Sequence, residues 1–343
     1  MPSDRTSAVP LDKPKKGKKK GCLVKVAQIF TILASIGILL TIWSLIAANQ
    51  VSKVIVQPAN REEVHQTSGF QPIQFNRFDA QKTLNGWYFE APEHIGSVIW
   101  IGGREENRLP LGKRSAQVIN KMTEAGYGVL LFDSNTNHTA AHTQNYFGYQ
   151  EWQDVLGAIE YLYNRNHETN IILYGINEGC ASALLAYHAL PNPKDSWQNS
   201  RFAFDQNIVQ AMILDGALPQ SDDYILQQLN ISRPIDHWFL KYTVPTIIRA
   251  LSTYANNENL AEIAANYSHP IQLFIPQAQD PHKKDALKQF QKVREAQNAR
   301  LTQIYDPKDN TLDESQVFES QLEQLDIFFK RLPKRLHQES RSH

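Results

Sequence analysis

Asn170-Ile171-Ile172-Leu173-Tyr174-Gly175-Ile176-Asn177-Glu178-Gly179-Cys180 carries an apolar run into a Gly-x-Asn-x-Gly turn, and the residues from Glu178 to Leu190 read as the helix that follows. A short apolar run bounded by glycine predicts a buried strand. Gly175 and Gly179 serve the backbone, because side chains on both flanks of so tight a turn would collide. The pattern is that of the Gly-x-Ser-x-Gly nucleophile elbow, whose central serine is held on a strained strand-to-helix turn. Here the central residue is Asn177. An amide has no ionisable nucleophile, so the turn keeps its geometry and loses its attacking atom.

Outward from this turn, strand and helix signals alternate. Before it stand 71–80 and 83–90, read as a hairpin, a buried strand at 97–101 ending in Gly102-Gly103, a helix at 112–125, a buried strand at 128–133 and a helix from Trp152. In that last helix Val155, Leu156, Ile159 and Leu162 share one face. After the turn come strands at 209–215, 271–276 and 300–305, and helices at 282–298 and 314–332. Residues 216–268 interrupt the alternation with short helix-like pieces rich in Leu, Ile, Tyr and Trp, and read as a lid. Such alternation predicts an α/β fold with a mostly parallel central sheet covered by helices on both faces.

The order of these motifs resembles the α/β-hydrolase superfamily, in particular its bacterial esterase-like and serine-peptidase-like branch, over residues 71–332. The resemblance implies the α/β-hydrolase fold with a helical lid. It also implies a nucleophile, a base histidine, an orienting acid and an oxyanion hole. Carried onto this chain, the nucleophile position is Asn177, the acid position Asp280 and the base position Asn310. Gly102, Gly103 and Glu178 fall where backbone N–H groups would form the oxyanion hole. The pattern departs from the family at several points. Pro276-Gln277 stand where the acid loop has His-Gly, and no histidine occurs between His282 and His337. With nucleophile and base both absent, loss of triad hydrolysis is expected, since removing one member alone costs about 10⁴ to 10⁶ in rate. Asp280 then reads equally well as a cap for the helix at 282. Cys180 and Ser182 read as packing residues, and His138 and His142 as loop histidines near the pocket. Two functions stay open: a ligand-binding or scaffolding pseudo-enzyme, or an active ester, thioester or amide hydrolase with a non-standard arrangement. The ligand expected of the first is small and apolar or acyl, and a protein partner at the lid is its alternative.

The N-terminus sets location. Residues 26–48 hold no charge and are mostly Ile, Leu, Val, Ala and Phe. At about 1.5 Å per residue the run spans roughly 34 Å, enough for a hydrocarbon core of about 30 Å. It reads as one transmembrane helix, with a cleaved signal peptide as the competing reading; the latter's apolar region is normally about 7–15 residues. Residues 1–25 carry eight basic and two acidic side chains, so the zero net charge of the chain hides a tail of +6 and a body of −6. The positive-inside rule then places a basic tail (1–25) in the cytoplasm, and beyond a connector (49–70) the main domain outside, periplasmic in a bacterium. The lysines fix topology and are also suited to anionic lipid. An acidic body with no recognisable RNA- or DNA-binding motif argues against nucleic-acid binding. Two cysteines give no disulfide framework, and no His-Glu-x-x-His, Cys-x-x-Cys or glycine-rich phosphate loop calls for a metal or cofactor. Residues 333–343 read as a flexible tail.

Overall fold

The computed structural model describes residues 18–64, 67, 70–134, 143–193, 201–229, 234–276, 281–307 and 313–339. In chain order the helices are α1 (Lys18–Ser52), α2 (Ser115–Glu124), α3 (Trp152–Asn166), α4 (Glu178–Ala189), α5 (Ser221–Gln228), α6 (Pro234–Leu251), α7 (Leu260–Asn266), α8 (Pro281–Asn298) and α9 (Glu314–Glu339). The strands are β1 (Lys53–Val54), β2 (Phe70–Asn76), β3 (Thr83–Phe89), β4 (Gly96–Ile101), β5 (Tyr127–Phe132), β6 (Thr143–Gln144), β7 (Ile171–Ile176), β8 (Val209–Asp215), β9 (Ile271–Phe274) and β10 (Thr302–Tyr305).

The eight-stranded sheet runs β10-β9-β8-β7-β4-β5-β3-β2. The pairs from β10 to β5 are parallel, and the β2–β3 hairpin joins β5 antiparallel. Because successive strand residues point to opposite faces, the apolar runs divide between two cores. Ile99, Leu130, Ile171 and Leu173 face Leu156, Ile159 and Leu184 of α3 and α4. Val98, Trp100, Val129, Leu131, Ile172 and Tyr174 face Val118 and Met122 of α2 and Phe318 and Phe329 of α9. Burial on both faces is why β4, β5 and β7 read as unbroken apolar runs rather than alternating ones. Helices α5, α6 and α7 fill the segment between β8 and β9.

Three boundaries differ from the sequence reading. α1 is longer than 26–48, running from the lysine cluster to Ser52, and its C-terminal end belongs to the body of the protein: Ser44, Ala48 and Ser52 are buried. The connector is therefore partly structured, since β1 pairs with β6 and a single helical turn covers Arg61–Val64. α9 continues to Glu339, past the expected end at 332, so the C-terminal stretch is helical backbone rather than a tail from 333.

Candidate functional site

β7 ends at Ile176, α4 begins at Glu178, and Asn177 makes the turn between them at φ 48°, ψ −119°. That conformation is rarely adopted by a residue with a side chain, and strain of this kind costs about 1–3 kcal/mol. Neighbouring backbone holds it: the Asn177 N–H donates to the Asp215 carbonyl of β8 at 2.7 Å, and the Cys180 N–H donates to the Asn177 carbonyl at 3.0 Å. The glycines do what their spacing implied. A Cβ on Gly175 would lie 2.7 Å from the Cys180 backbone, and one on Gly179 would lie 2.4 Å from the Ile101 carbonyl oxygen. Gly216, at φ 87°, faces the Asn177 side chain so closely that a Cβ there would sit 2.9 Å from Oδ1. Cys180 is a fully buried thiol donating to the Gly175 carbonyl at 3.2 Å, and burial pushes its pKa well up.

Gly103 lies against Asn177 and Glu178, while Gly102 faces Glu106 and Asn107. An ideal Cβ on Gly103 would be 3.3 Å from the Asn177 Cβ and 3.1 Å from a Glu178 carboxylate oxygen. The two positions carried over as acid and base, Asp280 and Asn310, lie outside the described residues, as do His138 and His142.

The residues that sequence reasoning missed are acidic. The Gly103 N–H donates to Glu106 Oε2 at 2.7 Å, and the Arg104 N–H donates to Glu178 Oε2 at 3.2 Å. Both backbone donors after β4 are thus taken by carboxylates of the protein itself. The Asn177 amide reaches the other oxygen of Glu106 at 3.4 Å. Arg104 is buried, and its guanidinium turns away from these acids: it donates to the carbonyls of Val51 and Lys53 at the end of α1, at 2.7 and 2.8 Å, and lies over the Phe147 ring. Tyr224 of α5 closes the opposite side, accepting from the Leu218 N–H at 3.0 Å. Between them lies a cavity of about 200 Å³ lined by Arg104, Glu105, Glu106, Asn177, Glu178 and Tyr224 along with two glutamines. The signal available in the sequence was the run Arg104-Glu105-Glu106 directly after Gly102-Gly103, which reads as a solvated charged loop until the fold turns it inward.

Burial is the main cause that pushes Glu106 up to about 7, and the neighbouring carboxylates of Glu178 and Asp215 add to it. Asp154, buried in α3 with Lys82 3.7 Å away, is likewise pushed to about 7 by desolvation. In an unfolded chain these groups titrate near 4. Between about pH 4 and 7 the folded state therefore holds protons that the unfolded state releases, so stability falls as pH rises through that window. Glu106→Gln and Asp154→Asn are each expected to flatten the dependence by about one proton, or about 1.4 kcal/mol per pH unit at its steepest. Denaturant unfolding of the full chain at a series of pH values measures this directly, and an unchanged slope in both variants would contradict it.

No protein-family model matches this sequence, and no curated protein matches it either. Solved structures do. The esterase Pf2001 of Pyrococcus furiosus superimposes with a TM-score of 0.58 at 15% identity, covering 81% of this chain and 97% of that one. Two further crystal forms of the same esterase give 0.53 at 17% identity and 0.51 at 16%, again over 81% of this chain and over 98% and 95% of theirs. The fold is the α/β-hydrolase fold. In that hydrolase fold the site is built at the carboxyl ends of the parallel strands, which is where β4, β7 and β8 bring Gly103, Asn177 and Asp215 together.

Proposed function

We propose that this chain is a membrane-anchored α/β-hydrolase-fold protein that has lost triad hydrolysis and acts as a binding or scaffolding pseudo-enzyme. The observation that carries the reading is the pairing of Asn177 on the strained turn with Glu106 and Glu178 on the adjacent N–H donors. In triad chemistry such donors stabilise the negative charge that develops on the attacked carbonyl oxygen. A carboxyl group already seated on each of them occupies the donor, and repels that charge when it is ionised. The turn has then kept its backbone, lost its serine, and had two of the backbone donors beside it occupied by the protein's own acids. The cavity wall supplies charged and amide groups, which suits a small polar ligand better than an acyl chain. A protein partner at the α5–α7 insertion remains the scaffolding form of the same proposal.

A second reading has one observation in its favour. Glu106 titrates near neutrality beside Asn177, and a carboxyl of that kind is matched to general acid–base work. It would serve a reaction that needs no serine.

The anchor is the second part of the proposal. α1 presents large apolar side chains to its surroundings from Val24 to Ile46, and Val24–Ser52 is long and apolar enough to cross a bilayer. Retention of the helix is supported by its buried end. Ser44 is hydrogen-bonded to Thr243 of α6 at 2.9 Å, and Arg104 holds the carbonyls of Val51 and Lys53. Cleavage after Ala48 would discard the first of these contacts and fray the second. The lysine-rich tail argues for a cytoplasmic N-terminus and an extracytoplasmic domain.

The test uses the full chain in nanodiscs, assayed against short- and long-chain nitrophenyl esters beside Asn177→Ala, Asp280→Ala and Glu106→Gln. No turnover above buffer in any folded protein is the expected result. Turnover abolished in Glu106→Gln would establish the second reading, and turnover abolished in Asn177→Ala would restore the turn as a catalytic element.

A further inference from the structure

Helix α6 carries an exposed stripe that the pocket does not use. Trp238 is 71% exposed and Tyr242 64%, and the exposed Thr246 and Ala250 continue the stripe at four-residue intervals. Residues four apart lie on one helix face. The four stripe residues are themselves uncharged, while Leu240, Val244 and Ile248 bury the opposite face in the core. A third face meets α1, where Thr243 Oγ1 and Ser44 Oγ are 2.9 Å apart.

This hydrogen bond fixes a depth. Ile46 is the last large apolar side chain that α1 exposes within its apolar run, and Ser44 lies two residues before it, about 3 Å along the axis. Thr243, and Tyr242 beside it, are therefore held level with the end of the apolar run rather than above it. Trp43 of α1, also exposed, stands at the same level. Trp and Tyr are the side chains that favour the boundary between headgroups and acyl chains, with an apolar ring and a polar edge. The Lys241 ammonium lies over the Tyr242 ring at 4.7 Å, a placement suited to lipid phosphate.

From this geometry we propose that the Trp238–Tyr242 face of α6 is seated in the outer-leaflet interface, so that the insertion between β8 and β9 rests on the lipid beside the anchor. The proposal depends on α1 being a membrane span. Lipid is the occupant because α6 is held against α1 at Ser44, beside the exposed Trp43 and Ile46 of the apolar surface that a bilayer would cover.

The test is nitroxide accessibility in the full chain, reconstituted in phosphatidylcholine–phosphatidylglycerol vesicles. Cys22→Ser removes the second reactive thiol, and single labels are placed at Tyr242→Cys, at Ile38→Cys in the span and at Lys330→Cys on α9. Access to oxygen relative to a water-soluble nickel chelate is expected to be highest at position 38, and several-fold higher at 242 than at 330. In the unlabelled chain, brominated lipid is expected to quench tryptophan emission less after Trp238→Phe. A lipid-buried 38 with a water-exposed 242 overturns the seating of α6 and leaves the anchor standing. A label at 242 shielded from both reagents places protein there, a second copy included, and also overturns it. A water-exposed 38 removes the anchor and the seating together.

Discussion

Gly179→Ala is expected to destabilise the protein by about 3 kcal/mol, at the upper end of what overpacking one methyl group costs. An ideal Cβ there would lie 2.4 Å from the Ile101 carbonyl oxygen and 2.8 Å from that of Gly102. Both obstacles are backbone, so no rotamer change relieves them. Either β4 or the first turn of α4 has to move. α4 has little room, since Ala181, Ala183, Leu184, Leu185 and Ala186 are all essentially fully buried and the loop at Gly148 presses on it, with an ideal Cβ there 2.8 Å from Ala181. The denaturation midpoint measures the effect. Gly37→Ala in α1 is the control, because nothing lies within 4 Å of the added carbon, and it should leave the midpoint unchanged or raised. Equal midpoints for the two variants would show that the turn after β7 is looser than described here.

Arg104→Ala should also cost about 3 kcal/mol, and should release the end of α1. Two hydrogen bonds from a charged donor to backbone carbonyls are lost, each worth about 1.5–3 kcal/mol, together with an ion pair to the exposed Glu105, and the carbonyls of Val51 and Lys53 lose their partner in a buried setting. The Phe147 ring loses its cation as well. Arg104→Lys should recover only part of the loss, because a single ammonium does not reproduce the planar guanidinium that holds two carbonyls through Nη2 and Glu105 through Nη1. Beside the midpoint, limited proteolysis at 53–60 reads the same event locally. It should accelerate in Arg104→Ala, less so in Arg104→Lys, and not in Glu105→Gln, whose side chain is exposed. Unchanged cleavage in Arg104→Ala would mean that α6 and the β1–β6 pairing hold the end of α1 without it.

The fold was legible because its signals are local. The apolar runs of β4, β5 and β7 are buried on both faces, so no register had to be known to recognise them, and the glycine spacing at 175 and 179 describes a turn that any neighbour would require. The site was legible only in its backbone. Asn177, Gly102 and Gly103 follow from motif order, whereas the seating of Glu106 on the Gly103 N–H depends on a loop that folds back over three residues, and a Glu in such a run reads equally as surface. The pairing of β1 with β6 joins segments ninety residues apart through two-residue strands, too short to leave any periodicity. The short helix-like pieces read in 216–268 correspond to three helices, of which α6 is an 18-residue helix with Pro245 inside it.

The grip of Arg104 on the end of α1 also sets a clearance. From Ile46 to Val51 the helix rises five residues, about 8 Å. With α1 crossing the bilayer, the wall of the cavity that Arg104 forms stands no more than that height above the hydrocarbon edge. A folded macromolecule does not pass through such a gap. If α1 spans the bilayer as proposed, an approach from that side would suit small solutes or molecules that travel laterally in the leaflet.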